Sequence, residues 1–433
     1  MLSPEENPVQ RLRSTLMENL PYCSGTLDIS SRDLVLYYGK GAQTRRIDLS
    51  NATTDELDAL EKACEPAPFG RNDQTVDDFM LGFDAERAGL TEVVRSFLFH
   101  GTEEEKFVRA ELYKLNVYGK DSFFKPHQDT PRAENMFGSL VVVLPTPHEG
   151  GALVLRHNER QWTFESGELL AEPGAASRVA FVSFFSDVEH EVLPVRSGHR
   201  LTVTYNLYFS PTRAIYSAPS STGLRVLQPS GANTSTVSSA LAALLADPSI
   251  LPEGGTLGFG LQHQYPLPSN PLEALQGWLK GSDGALFRAC TEQRLTPLLR
   301  IVLEEETGHG TVTPILLTEA VELGEYDLEE DDPIEVICRD WGGVVVFCRS
   351  LLDGSAPTKE WKRGAYGGAL RYRYIQSFGD TKGPAGGYGF VREENGRLPT
   401  KRVDMVTDVT RFNELKSTMV AHNYTCAAYT HHG

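Results

Sequence analysis

From Glu111 to Tyr208 the chain is a succession of short β-rich runs broken by turn residues. The runs are ELYKLNVYG, SFFKPHQD, GSLVVVLP, GALVLRH, QWTFE, RVAFVSFF, HEVLPV and RLTVTYNLYF, with the turn signals GKD, TPHEGG and ESGE between them. Branched and aromatic side chains fit a pleated, half-buried surface, and turn residues at this spacing fold neighbouring runs back on one another. A chain built this way is confined to an antiparallel sandwich or barrel such as a jelly roll.

Within this region, FFKPHQDTPR (Phe123–Arg132) places His127 and Asp129 two residues apart between Pro126 and Pro131. On a strand, positions two apart share a face. Two ligands there can hold adjacent corners of a metal ion, and a third must come from a distant strand. His190, in FFSDVEHEVLPV, follows Asp129 by 61 residues with several sheet runs between, and is preferred to His157, which closes GALVLRH. Two imidazoles and one carboxylate on one face of an octahedron leave positions open, the arrangement of non-haem Fe(II) oxygenases. A 2-oxo acid can chelate such an ion, and its far carboxylate then calls for a guanidinium. Arg200, ten residues after His190, suits that role, with Thr202 on the same face of its strand.

The ordered set resembles the 2-oxoglutarate/Fe(II)-dependent oxygenase superfamily, and most of all its prolyl 4-hydroxylase-like branch. It comprises His127-Gln128-Asp129, GSLVVVLP, Gly150-Gly151, His190 and GHRLTVTYNL, over about a quarter of the chain. The resemblance implies a double-stranded β-helix that binds Fe(II) through His127, Asp129 and His190, with 2-oxoglutarate and O2 as co-substrates and ascorbate as a supporting reductant. It also implies succinate, CO2 and an oxidised substrate as products. A tyrosine one strand before the H-x-D belongs near the co-substrate in this family; Tyr118 matches that place, with Tyr113 as the fallback. Three readings of the whole follow: a hydroxylase of a protein side chain such as proline, the same chemistry on a small metabolite, and a non-catalytic binding scaffold. The first is preferred by closeness to the prolyl hydroxylase branch, and the intact ligand set weighs against the third. The demethylase branch carries a second arginine downstream, whereas LTVTYNLYF after Arg200 has none.

The remaining sequence supplies context. A chain of 433 residues exceeds one ordinary core. The expected fold class is α+β: a jelly-roll core with flanking helices and a C-terminal α/β accessory domain. The expected divisions are an N-terminal α/β segment (1–110), the oxygenase core (111–212), a linker and helix (213–253) and the accessory domain (254–433). TTDELDALEKAC reads as a helix without a full capping box, and GALFRACTEQRLTPLLRIVLEE as a helix throughout. The net charge of −17 disfavours a nucleic-acid partner and suits a basic protein or peptide substrate. Six scattered cysteines show no CxxC spacing, and MLSPEENPVQRLRS has no apolar export segment. The expectation is a cytoplasmic or nuclear protein with reduced thiols and no membrane span. His148 reads as a solvated turn residue, His157 as sheet surface, and His199 and His263 as structural.

Overall fold

The strand Phe107–His127 runs for 21 residues, and the candidate site hangs on it. The computed structural model describes residues 7–40, 43–66, 70–76, 79–99, 107–172, 177–211, 223–228, 231, 234–251, 255–265, 272–307, 311–318, 338–350, 372–378 and 400–409. The acidic run LEEDDP, the glycine-rich GPAGGYG, the sequon at Asn423 and the terminal histidines lie outside them.

The chain divides into two compact units, Asn19–Gly231 and Met1–Glu18 with Ala232–Gly433. The first holds a large curled antiparallel sheet. Its strands run in the spatial order Arg160–Phe164, Leu153–His157, Glu189–Val192, Phe107–His127, Arg200–Ser210, Met136–Val143, Arg178–Phe185, Tyr22–Asp28 and Arg225–Val226. Gly70–Val76 adds to the long strand from the side. The ends of this sheet meet, since Tyr22 and Trp162 bring their ring centroids within 5.4 Å. A sheet that curls this far covers its own inner face, as a jelly roll does.

Two strands are apolar without alternation because both their faces are covered. In Met136–Val143 only Val141 is partly exposed, and in Arg178–Phe185 only Arg178. Burial of each such valine or phenylalanine stabilises by about 1.5–3 kcal/mol. Phe99, which ends the helix Leu90–Leu98, packs on Phe137, Phe185 and Phe209 at centroid distances of 4.9, 5.6 and 5.0 Å. The Ser186 amide donates to the Phe137 carbonyl at 2.9 Å. This cluster fixes the turn that leads into His190.

The helix Thr54–Ala63 starts more firmly than its sequence suggested. Thr53 is the N-cap, its hydroxyl accepts from the Glu56 amide, and Glu56 accepts from the Thr53 amide at 2.9 Å. That is a full capping box, worth about 1 kcal/mol.

In the second unit, six strands close a barrel in the order Gly255–Gly260, Tyr372–Phe378, Val344–Ser350, Thr311–Leu317, Leu298–Thr307 and Thr400–Val409. The helices Pro8–Met17, Thr234–Ala246 and Gly281–Glu292 contribute Leu12, Leu241 and Ala289 to a core shared with Leu257 and Phe259. The stretch expected to be one long helix breaks in two: the helix stops at Glu292, Arg294 takes φ +60°, and Leu298 opens a strand. Pro297 offers no amide to a continuing helix, and the Arg-Ile-Val sequence after it favours sheet. The motif LKGSDG is a structural clamp. Buried Asp283 accepts from the amides of Gln262 and His263 and from the Tyr265 hydroxyl at 2.8, 3.1 and 2.9 Å. His263 is buried there, as a structural residue would be.

Cys23 and Cys290 are buried thiols outside any disulfide. No described helix is long and apolar enough to cross a membrane.

Candidate metal centre and co-substrate site

The strand Glu189–Val192 pairs antiparallel with the end of the long strand, and the register sets His190 directly opposite His127. Their ring centroids are 4.2 Å apart. Asp129 lies two residues beyond the strand end, so its approach comes from a turn of the chain and not from strand alternation. Its Oδ1 is 3.9 Å from His190 Nε2, and one donor atom from each of the three residues falls within a 4.8 Å cluster. The histidine preferred from sequence is therefore the one the sheet brings in.

Hydrogen bonds prepare each donor. Nδ1 of His127 lies 2.9 Å from the Lys125 carbonyl, and Nδ1 of His190 lies 3.1 Å from the Val188 carbonyl. A carbonyl only accepts, so each Nδ1 carries the proton and each Nε2 offers a lone pair. The Ser139 hydroxyl donates to Asp129 Oδ2 at 2.6 Å, which leaves Oδ1 for the cluster. Burial holds the His190 imidazole below its ordinary pKa, against the raising pull of Asp129, so it stays neutral. Phe184 packs on His190 at 4.6 Å between centroids. Two imidazoles and one carboxylate with oriented lone pairs fit a divalent first-row ion such as Fe(II).

Ser139 and Gln128 escaped sequence reasoning. Ser139 is a buried hydroxyl inside an apolar run, and that mismatch was its only signal. The Gln128 amide donates to the Asp187 carbonyl at 2.8 Å and ties the H-x-D turn to the turn before His190.

Arg200 pairs with Tyr118 across the sheet, its guanidinium 5.3 Å from the Tyr118 ring centroid. Arg200 is 1% exposed and Thr202 is likewise 1% exposed, two residues on along the same strand. Tyr113, the fallback tyrosine, is on the surface beneath Arg132 at 4.1 Å. Gly151 explains the GG turn. A Cβ there would lie 2.8 Å from Arg200 Cδ and 2.9 Å from Val195 Cγ2, and its φ is +68°. Only glycine leaves room for the buried arginine and takes this backbone without strain.

Two histidines differ from expectation. His157 is not sheet surface: its Nε2 meets buried Asp187 Oδ2 at 3.1 Å. His148 is no solvated turn residue: Nδ1 donates to the Thr146 carbonyl at 2.8 Å and Nε2 meets Ser166 Oγ at 3.2 Å. Burial is the main cause that drives its pKa from 6.5 down to about 4, with nearby Arg200 adding to the effect. The unfolded chain thus takes up this proton first as pH falls. The contribution of neutral His148 is whole above pH 6.5 and drains away between 6.5 and about 4. At about 1.4 kcal/mol per pKa unit, the upper bound on the loss is about 3 kcal/mol. His148→Gln should flatten this part of the stability profile in urea melts across that range; an unchanged slope would contradict the assignment.

Residues 113–208 match the family model of the 2OG-Fe(II) oxygenase superfamily. This segment belongs to that superfamily. Members of that superfamily are oxidoreductases that use Fe(II), 2-oxoglutarate and O2. Solved structures similar to this chain include a Pseudomonas putida prolyl-4-hydroxylase, 18% identical, with 46% of this chain and 98% of that chain covered at a TM-score of 0.28. A viral collagen prolyl hydroxylase from Paramecium Bursaria Chlorella virus-1 is 17% identical, with 37% and 93% covered at 0.23. A Trichoplax adhaerens prolyl hydroxylase, solved with a hypoxia inducible factor peptide, is 16% identical, with 46% and 90% covered at 0.26. No curated protein matches the chain.

Proposed function

We propose that the protein is a 2-oxoglutarate-dependent hydroxylase of a polypeptide side chain such as proline, working through His127, Asp129, His190, Arg200, Thr202 and Tyr118. The observation that carries this reading is the convergence of three oriented donors, with His127 and His190 in direct register. Bound Fe(II), with 2-oxoglutarate and O2, supplies an oxidant able to insert oxygen into an unactivated C–H bond with release of succinate and CO2.

The chain's own residues do positional work. Nε2 of His127, Nε2 of His190 and Oδ1 of Asp129 hold the metal, aimed by the Lys125 and Val188 carbonyls and by Ser139. Phe184 shields the His190 side of the site from water. The Arg200 guanidinium forks onto the far carboxylate of 2-oxoglutarate, and the Thr202 hydroxyl donates to the same group. The Tyr118 ring limits where that guanidinium can go. No acid–base group is required.

A polypeptide substrate is favoured by the open side of the site. The Asp129 side chain is 25% exposed, and Thr130–Glu134, which follows it, is exposed throughout. A surface of this kind admits a chain laid across it, while the acid excess attracts basic flanks. The test is to incubate the full chain with Fe(II), ascorbate, 2-oxoglutarate and a library of proline-containing peptides with basic flanks. Succinate release coupled to gain of one oxygen atom on a peptide is expected. Oxygen incorporation into small metabolites alone would replace the polypeptide reading, and no succinate under any condition would end the enzymatic one.

A further inference from the structure

On the other side of the Arg200 backbone lies a second set of metal-donor side chains that the oxygenase reaction does not use. Asp58 and Glu61 stand three residues apart on the helix Thr54–Ala63, and that spacing puts both carboxylates on one side. Both reach His199, the residue before Arg200. Its Nε2 is 2.9 Å from Glu61 Oε2 and 3.4 Å from Asp58 Oδ1, and one donor from each residue falls within 4.8 Å.

The imidazole is held from behind. The His199 side chain is 9% exposed, and its amide donates to the Pro147 carbonyl at 3.1 Å. The sheet beneath has been cleared for Glu61. A Cβ on Gly119 would lie 2.2 Å from Glu61 Oε1, so any other residue there would push the carboxylate away from His199.

Nε2 carries at most one proton, yet two carboxylates converge on it, Glu61 at hydrogen-bond distance and Asp58 farther off and exposed to water. A divalent cation would answer all three donors at once, with the His199 ring neutral and water completing the coordination. One nitrogen and two carboxylate oxygens suit Zn(II), Mn(II) or Co(II), and three protein ligands with an open position are a familiar zinc arrangement.

We propose that Asp58, Glu61 and His199 form a second divalent-cation site. It pins the helix Thr54–Ala63 to the start of the strand that carries Arg200. The site is independent of the oxygenase reading, because it shares no ligand with His127, Asp129 or His190.

The test counts metal. The full chain is dialysed against Zn(II), and bound zinc is measured by atomic emission. The double variant D58N/E61Q should bind one equivalent fewer than the unaltered chain, and H127A/H190A should also bind one fewer, the two losses adding when combined. Asp58 is 46% exposed, so D58N alone keeps the fold and should weaken one zinc equivalent at least tenfold in a competition titration. Equal zinc content and affinity in D58N, D58N/E61Q and the unaltered chain would overturn the second site, whatever happens in H127A/H190A. Loss of the equivalent only in H127A/H190A would show the outer group to be an ion pair alone.

Discussion

His190→Ala should leave a folded chain that neither retains Fe(II) nor releases succinate. The proposed centre has three protein donors, and this change deletes the one that arrives from the far strand. Loss of a single partner behind a ligand typically weakens metal affinity by about 10- to 100-fold, so removal of a ligand itself should exceed about 100-fold. The fold should survive. His190 lies near one end of a large sheet and packs on Phe184, so the cavity left behind should cost about 2–3 kcal/mol. Ser139→Ala grades the effect, since it strips the hydrogen bond from Asp129 Oδ2 and leaves every ligand in place. It should fall within the 10- to 100-fold range. Iron content by emission spectroscopy, beside urea melts, separates the two effects. Stoichiometric iron in a folded His190→Ala protein would sink the assignment.

Arg200→Met should raise the KM for 2-oxoglutarate steeply and leave stability unchanged or improved. A guanidinium that is 1% exposed carries a large desolvation cost, and a matching apolar side chain avoids it. The same burial makes it a strong grip on a carboxylate. Removal of one partner from a buried charged pair costs about 2–5 kcal/mol, roughly 30- to 4,000-fold in affinity. Opposite signs for stability and co-substrate affinity are what mark Arg200 as a binding residue; a structural arginine would lose both together. Gly151→Ala should shift the KM the same way, because its methyl group would displace the Arg200 side chain from 2.8 Å. Steady-state kinetics in 2-oxoglutarate with parallel thermal melts would decide. An unchanged KM in Arg200→Met would place the carboxylate elsewhere.

The two sites were not equally legible. The oxygenase set could be found because its members are of rare type, fall in a fixed order and sit in sheet-like runs. Asp129 was found for a partly mistaken reason: its side chain reaches the cluster from beyond the strand end, held by Ser139. His157 and His148 were misplaced because sequence shows the run a histidine belongs to but not what covers it. Asp187 covers the first, and Thr146 with Ser166 the second. The Asp58–Glu61–His199 group has no linear signature, since some 140 residues separate its helix from its histidine. In the second unit, the apolar pattern of the stretch after Gly284 fitted a helix throughout, yet Pro297 and the strand pairing that follows it divided that stretch.

Taken alone, the amino-acid order determined the sheet-rich character of residues 111–208, the candidate metal donors and the guanidinium proposed to grip the co-substrate. These follow from local chemistry: side-chain shape sets strand preference, and only certain groups ligate iron or pair with a carboxylate. Tertiary structure decided which atoms of those groups are free to act. Strand register brought His190 onto His127, curling of the sheet buried Arg200 against Tyr118 and Gly151, and backbone carbonyls chose the histidine nitrogens that carry protons. Such choices depend on partners far away in the chain, and proximity in space is what a linear text does not contain.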